Sequence, residues 1–224
     1  MELTFIQSSD PVRYAEMLAH TSRTVQAYCD RHNHHYESFI GIKRGYHPWQ
    51  AAFNRLFMLE EIVERADCDW VIYLDADAYI ANLDFDLADY LLDFSDKIAA
   101  AAPSGASNQA WDVNSGVIAL NVRDPLARTF MRLWKAEFDA ISDQVLAAAE
   151  DWYIGMHGDQ GLLHQMLQAN DTILTRFGRL DPALINSPQA TFIRQQLRGF
   201  GLPFEDRVAK LADEVNAVLT SLGS

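Results

Sequence analysis

Basic residues are scarce in this chain. Eighteen lysines and arginines stand against 31 aspartates and glutamates, a formal charge of -13 over 224 residues. Such a balance excludes non-specific attachment to nucleic acid or to an anionic membrane, both of which rest on basic patches. A phosphorylated ligand would need a cation to bring it in. Cysteine is nearly absent: Cys29 and Cys68 are the only two, with neither C-x-x-C nor zinc spacing, so they read as reduced thiols in a cytosol and carry no role. No apolar run reaches the length of a signal peptide or a transmembrane helix, and Glu2 stands second in the chain. The expectation is a soluble, cytoplasmic protein. Internal repeats, low-complexity tracts and a convincing linker are missing too, so the length allows one sizeable domain with a small C-terminal appendage.

What is present is an ordinary globular composition, 49% apolar with 12 phenylalanines. "LTFIQSS" reads as a strand, Asp10 as an N-cap and Pro11 as the first helical residue. Tyr14, Leu18, Thr21, Val25 and Tyr28 then recur at helical spacing. "YESFIGI" is a second strand, and "GYHP" breaks the chain before a helix with Trp49, Phe53, Leu56, Glu60 and Val63 on one side. "WVIYLDA" is apolar throughout, as in a strand covered on both faces. "KIAAAAPS" and "SGVIALNV" read as strands, Leu126 to Ile141 spans a long helix, and another helix begins near Asp159. "TILTRF" and "PALIN" are expected strands, with closing helices over 192–197 and 208–222. Alternating β and α units imply an α/β fold with a largely parallel central sheet flanked by helices.

Within "VIYLDADAYI", residues 71–80, an apolar strand runs into Asp75 and Asp77. Open α/β sheets bind ligands outside the carboxyl ends of their strands, which is where this pair falls. Residues two apart on a strand point the same way, so both carboxylates could face one ion. Oxygen-only ligation suits Mg²⁺ or Mn²⁺ rather than zinc. Aspartate also simply ends strands and starts water-exposed turns, but charge this close to a core is costly unless paired or metal-bound.

"YLDADAYI" resembles the Asp-x-Asp element of GT-A fold glycosyltransferases, which transfer a sugar from a nucleotide diphosphate. "YCDRHNHHYESFIGI", "HPWQAAFNRLFML", "DWVIYLDADAYIANL", "NSGVIALN" and "GDQGLLHQML" follow in the order found in the retaining galactosyl- and xylosyltransferase group and its glycogenin-like relatives. The resemblance covers residues 1–190, an expected GT-A catalytic domain, and leaves 191–224 as a helical appendage packed on it. It implies a UDP-sugar donor, a carbohydrate or glycoconjugate acceptor, and Mn²⁺ or Mg²⁺. Asp77 would contact the metal directly, Asp75 the ribose and the metal shell, and the Ala76 backbone would lie along the nucleotide. Gln7 and Ser8 would hold the nucleobase and ribose. Asn114, Ser115 and Gly116 would line the donor sugar or the acceptor side. Asp159 would bind sugar hydroxyls, and Gln160 would sit near the β face of the anomeric carbon, steadying positive charge there. A tight turn into a strand explains Ser115 as well, and an N-cap alone explains Asp159.

The match departs from the family in one respect. Metal-dependent relatives supply a third ligand, a histidine, late in the chain, whereas His164 is the last histidine here and lies within a helix. Asp181, Asn186, Gln195 or water would have to take its place. The cluster "RHNHHY" reads as a solvated loop, Tyr14 and Trp49 as core, Arg194 and Arg198 as a solvated helix face, and His157 as near the site. The main rival is a phosphatase or phosphotransferase of the haloacid-dehalogenase type, which also runs an apolar strand into Asp-x-Asp. It would carry Thr or Val where this chain has Tyr79, and its motif near the N-terminus. A nucleotidyltransferase would show a Gly-rich, basic loop after the first strand, which "FIQSSDPVRY" lacks. A non-catalytic sugar-nucleotide-binding relative is a further alternative.

Overall fold

All seven residues of β1 (Leu3–Ser9) are buried, as a strand covered on both faces requires. A computed structural model describes residues 1–151, 158–196 and 202–221. After β1 come α1 (Ala15–His32), β2 (His35–Ile40), a 3₁₀ turn (Pro48–Phe53), α2 (Asn54–Arg65), β3 (Trp70–Asp75) and β4 (Ala78–Ile80). They are followed by α3 (Leu87–Tyr90), β5 (Ala99–Pro103), β6 (Val113–Asn121), α4 (Ala127–Asp139), α5 (Asp143–Ala148) and α6 (Asp159–Ala169). The chain closes with α7 (Asp171–Thr175), β7 (Phe177–Arg179), β8 (Ile185–Ser187), β9 (Ile193–Gln195) and α8 (Phe204–Thr220).

The main sheet has the order β2-β1-β3-β6-β5-β7. Only β6 runs against its neighbours; the β2–β1, β1–β3 and β5–β7 pairings are parallel. Successive strand residues point to opposite faces, and the core divides accordingly. Ile6, Val71 and Tyr73 pack with Leu56, Leu59, Phe130 and Trp134 of α2 and α4. Phe5, Ile72 and Leu74 pack on the other face with Val25 and Tyr28 of α1 and with Phe192 and Ile193. Because the chain moves from β1 to β2 on one side and to β3 on the other, the switch point lies at the carboxyl ends of β1 and β3, where Ser8 is in register with Asp75.

A small second sheet, β4-β9-β8, ties the late chain to the segment just after Asp77. It corrects the helix expected over 192–197: Ile193, Arg194 and Gln195 form β9 because β4 offers an edge to pair with, and Leu197 lies outside the described residues. "TILTRF" divides into α7 and the start of β7, and "PALIN" contributes only its last two residues to β8. In short apolar runs the two periods cannot be told apart without a pairing partner. Asp10 does cap the entry to α1, accepting the N–H groups of Val12, Arg13 and Tyr14, although a turn precedes the helix proper.

The histidine-rich turn is solvated only in part: Arg31, Asn33 and His35 are exposed, but His32 and His34 are half-buried. His32 stacks on Tyr28 with ring centroids 4.3 Å apart and bonds the Leu83 carbonyl oxygen at 2.8 Å, and burial pushes the His34 pKa down. Cys29 and Cys68 are free, buried thiols. Among the described residues, no helix is long and apolar enough to cross a membrane.

Helix α8 lies along α1, where Arg23 donates to Asn216 at 2.8 Å. Glu214 of α8 accepts the Tyr79 hydroxyl at 2.8 Å and the Gln196 amide at 2.6 Å, joining α8 to both strands of the β4–β9 pair or their ends. Glu214→Ala removes the acceptor of both donors. The variant is expected to lose about 1–3 kcal/mol of stability, the usual cost of stranding buried donors, measured as the shift of the urea unfolding midpoint.

Candidate functional site

The turn that follows β3 is held from beneath. Gln7, fully buried on β1, donates its amide to the carbonyl oxygens of Asp75 at 3.2 Å and Ala78 at 3.0 Å, while its own oxygen accepts the Tyr36 hydroxyl at 3.0 Å. Thr21 of α1 donates to the Ala76 carbonyl oxygen at 2.9 Å. These bonds satisfy backbone groups that strand pairing leaves open after Asp75. Gln7 therefore lies below the site and not in it, contrary to the nucleobase contact expected for it. Ser8 is at the surface of the cleft, its hydroxyl 3.1 Å from the Tyr73 hydroxyl.

Above the turn lies a cavity of about 440 Å³. Ser8, Asp75, Ala76, Asp77, Asn114, Ser115, Gly116, Asp159 and Gln160 all line it, brought together from β1, β3, β6 and α6. Gly116 N–H donates to the Asn114 side-chain oxygen at 2.8 Å, which fixes the Asn114 rotamer. Ser115 bridges to α6 twice: its hydroxyl donates to Asp159 Oδ2 at 2.7 Å and its N–H to Gln160 Oε1 at 3.1 Å. The Asp159 carbonyl oxygen accepts the Trp134 indole N–H at 3.2 Å.

Two guanidinium groups balance three carboxylates here. Arg55 of α2, 2% exposed, places Nη2 2.5 Å from Asp75 Oδ1 and Nη1 3.0 Å from Asp159 Oδ2. It also donates to the Ser115 carbonyl oxygen and lies over the Tyr73 ring, 4.5 Å from its centroid. Burial works against this charge, but Asp159 and Asp75 outweigh it and hold the Arg55 pKa above its ordinary value. Burial raises the Tyr73 pKa, so the phenol beneath stays neutral. Arg207 of α8 donates to Asp77 Oδ2 at 2.7 Å and to the Gln196 carbonyl oxygen at 2.5 Å. The remaining oxygens converge: Gln195 Nε2 stands 3.0 Å from Asp75 Oδ2 and 2.9 Å from Asp77 Oδ1. Each aspartate thus gives one oxygen to an arginine and the other to a shared point. Among the described residues, no three His, Cys, Asp or Glu side chains gather as a metal site.

Arg55 and Arg207 did not emerge from the sequence, although one signal marks both. Arg55 shares an apolar helix face with Leu59 and Ile62, and Arg207 shares one with Leu211 and Val215, all buried. A charged residue that opens a buried stripe needs a buried partner. Trp49, read as core, lines the cavity with its indole N–H on the Ala149 carbonyl oxygen at 2.7 Å, and Tyr14 lines it too. His164 is elsewhere, bonded to the backbone of Val113. Asp181 is exposed in a turn, and Arg194 donates to the Ala190 carbonyl oxygen. His157 and Arg198 lie outside the described residues.

Residues 3–114, half of the chain, match the model of the galactosyl transferase GMA12/MNN10 family. The chain belongs to that family, and it is a glycosyltransferase. The matched half holds β1, α2 and the Asp75–Asp77 turn and ends at Asn114, so Ser115, Asp159 and the late residues lie beyond it. Among solved structures, a glycosyltransferase involved in glycosylation of the major capsid of PBCV-1 superposes with a TM-score of 0.69 at 14% identity, over 94% of this chain and 99% of the other. The glycosyltransferase GlyE of Streptococcus pneumoniae TIGR4, in its apo form, gives 0.56 at 14% identity, over 99% of this chain and 64% of that one. These likenesses show the glycosyltransferase fold. No curated protein matches the chain. The haloacid-dehalogenase reading is set aside by the family match.

Arg55→Met would leave Asp75 and Asp159 without their shared cation. A loss of about 3–5 kcal/mol is expected, as for one partner removed from a buried pair, read from urea unfolding; Arg55→Lys, a point charge on a flexible stem, should recover only part of it.

Proposed function

We propose that this glycosyltransferase moves a sugar from a UDP-sugar to a carbohydrate or glycoconjugate acceptor, with retention at the anomeric carbon and with Mg²⁺ or Mn²⁺ as its metal, which Asp75 and Asp77 would hold. The observation that carries the reading is the convergence of Asp75 Oδ2 and Asp77 Oδ1 on one point at the floor of the cavity, both within 3.0 Å of the same nitrogen. Hard divalent cations take oxygen donors of this kind, so the residues fit the ion. When bound, such an ion supplies Lewis-acid stabilisation of the charge that builds on the leaving diphosphate.

The chain's own residues do the remaining work. Arg55 and Arg207 each hold the outer oxygen of one aspartate, which aims the inner oxygens at a common centre. Ser8, Ala76, Asn114, Ser115 and Gly116 all border the cavity; in this reading Ser8 and the Ala76 backbone meet the nucleoside and the other three the sugar. Asp159 is occupied by Arg55 and by the Ser115 hydroxyl, so it is a poor nucleophile and a good acceptor for one sugar hydroxyl. That favours transfer on a single face. The bond from the anomeric carbon to the phosphate oxygen breaks, the acceptor oxygen bonds to the same face, and its proton passes to the departing phosphate. Gln160, oriented by the Ser115 N–H, has a second lone pair on its carbonyl oxygen to offer the positive centre. In this reading the catalytic body of residues 1–190 is completed by the segment packed on it, through Gln195 and Arg207. Two free, buried thiols suit a reducing compartment such as the cytoplasm.

Calorimetric titration of UDP is expected to show binding with Mn²⁺ and none with EDTA. Asp77→Asn should abolish the metal-dependent binding while a thermal melt still reports a cooperative fold. Equal UDP affinity in that variant would overturn the metal assignment. The anomeric configuration of the product, read by NMR, tests retention directly.

A further inference from the structure

Gln195 ends β9 with 4% of its surface exposed, and its amide lies between the two aspartates of the turn. The nitrogen is well provided for, since Nε2 donates to Asp75 Oδ2 at 3.0 Å and to Asp77 Oδ1 at 2.9 Å. The oxygen is not: Oε1 is buried and has no hydrogen-bond partner among the described residues. An amide satisfied at one end and orphaned at the other is half of a polar network, and buried acceptors left in this way are rare and costly. The positive end of the amide dipole is standing where two carboxylate oxygens meet, and a lone-pair donor is waiting beside it.

The backbone underneath admits the amide only because residue 116 has no side chain. A Cβ on Gly116 would stand 2.4 Å from Oε1 and 2.6 Å from Nε2, closer than real contacts allow, so glycine at this position gives the amide its seat. Across the site, Arg55 and Arg207 hold the other oxygens of Asp75 and Asp77 and keep the carboxylates in place if the amide moves.

We infer that Gln195 is the third protein ligand of the divalent ion, turning its amide so that Oε1 faces the point where Nε2 now stands between Asp75 and Asp77. The inference rests on the metal-dependent reading above and adds to it a statement about selectivity. Two carboxylates and an amide carbonyl make an all-oxygen set, which suits Mg²⁺ as well as Mn²⁺, whereas an imidazole in the same position would favour the transition metal. The ion chosen by this protein is thus set by a residue on β9, far in sequence from the aspartates.

The test is Mn²⁺ binding to the full chain in the presence of UDP, followed by the electron paramagnetic resonance signal of free Mn²⁺, with Mg²⁺ as competitor. The unaltered chain should bind Mn²⁺ and release it to Mg²⁺ at similar concentrations. Gln195→Ala should weaken Mn²⁺ binding roughly ten- to hundredfold, at least the loss seen when supporting ligands are removed from metal sites. Gln195→His should restore tight Mn²⁺ binding and move the Mn²⁺-to-Mg²⁺ preference about tenfold toward Mn²⁺, following ligand softness. Binding by Gln195→Ala as tight as by the unaltered chain would overturn the inference while leaving the metal-dependent reading intact. Should Gln195→Ala fail to fold, the histidine variant decides alone, and an unchanged Mn²⁺-to-Mg²⁺ preference overturns the inference. Failure of the unaltered chain to bind Mn²⁺ at all would overturn the metal-dependent reading and the inference together.

Discussion

The site depends on one buried cation. Arg55 projects from α2 between two carboxylates that arrive on different elements, Asp75 at the end of β3 and Asp159 at the start of α6, and it also takes the Ser115 carbonyl oxygen of β6. Neither carboxylate could sit so close to the core without compensation, and the guanidinium fork can serve both at once where a single ammonium could not. The floor of the cavity is therefore assembled around a charge, and the apolar layers of α2 and α4 behind it keep that charge from being screened by water.

The second aspartate is compensated from much further along the chain. Asp77 pairs with Arg207 of α8, 130 residues away, and meets the Gln195 amide of β9. The short β4–β9 ladder and the Glu214 contacts of α8 bring these late residues to the turn. What reads as an appendage in the sequence supplies a cation and an amide to the centre of the cleft. Three carboxylates against two guanidiniums leave a site that is still negative, within a protein of charge -13. In the proposed reading a diphosphate could not enter such a place on electrostatic grounds alone, and the convergence of two aspartate oxygens would then matter more than the arginines do.

Much of this was legible in advance because its cause is local. The apolar run of β3 ending in Asp75 and Asp77 and the helical spacing of α1 and α4 each express a constraint that acts within a few residues, whereas Asn114 to Gly116, read as a turn into a strand, lie within β6 itself. The alternation of strand and helix then placed the aspartates at a cleft, since parallel sheets present their carboxyl ends to ligands. Asp159 and Gln160 were singled out through family resemblance rather than through pattern, because an N-cap explains an aspartate equally well.

What the tertiary structure decided was everything that depends on a partner distant in the chain. Gln7 could not be told from a ligand-facing residue until its four bonds beneath the turn were seen. Arg55 and Arg207 carried the mark of a charge at the head of an apolar stripe, yet only the fold shows which carboxylates they meet. The strand at 193–195 exists because β4 offers an edge, and Gln195 acquires its significance from that pairing. Local sequence determined the long elements and the position of the aspartates, since hydrophobic periodicity acts at short range; short strands such as β9 and the compensation of buried charge depend on partners met through space, and only the folded chain reveals them.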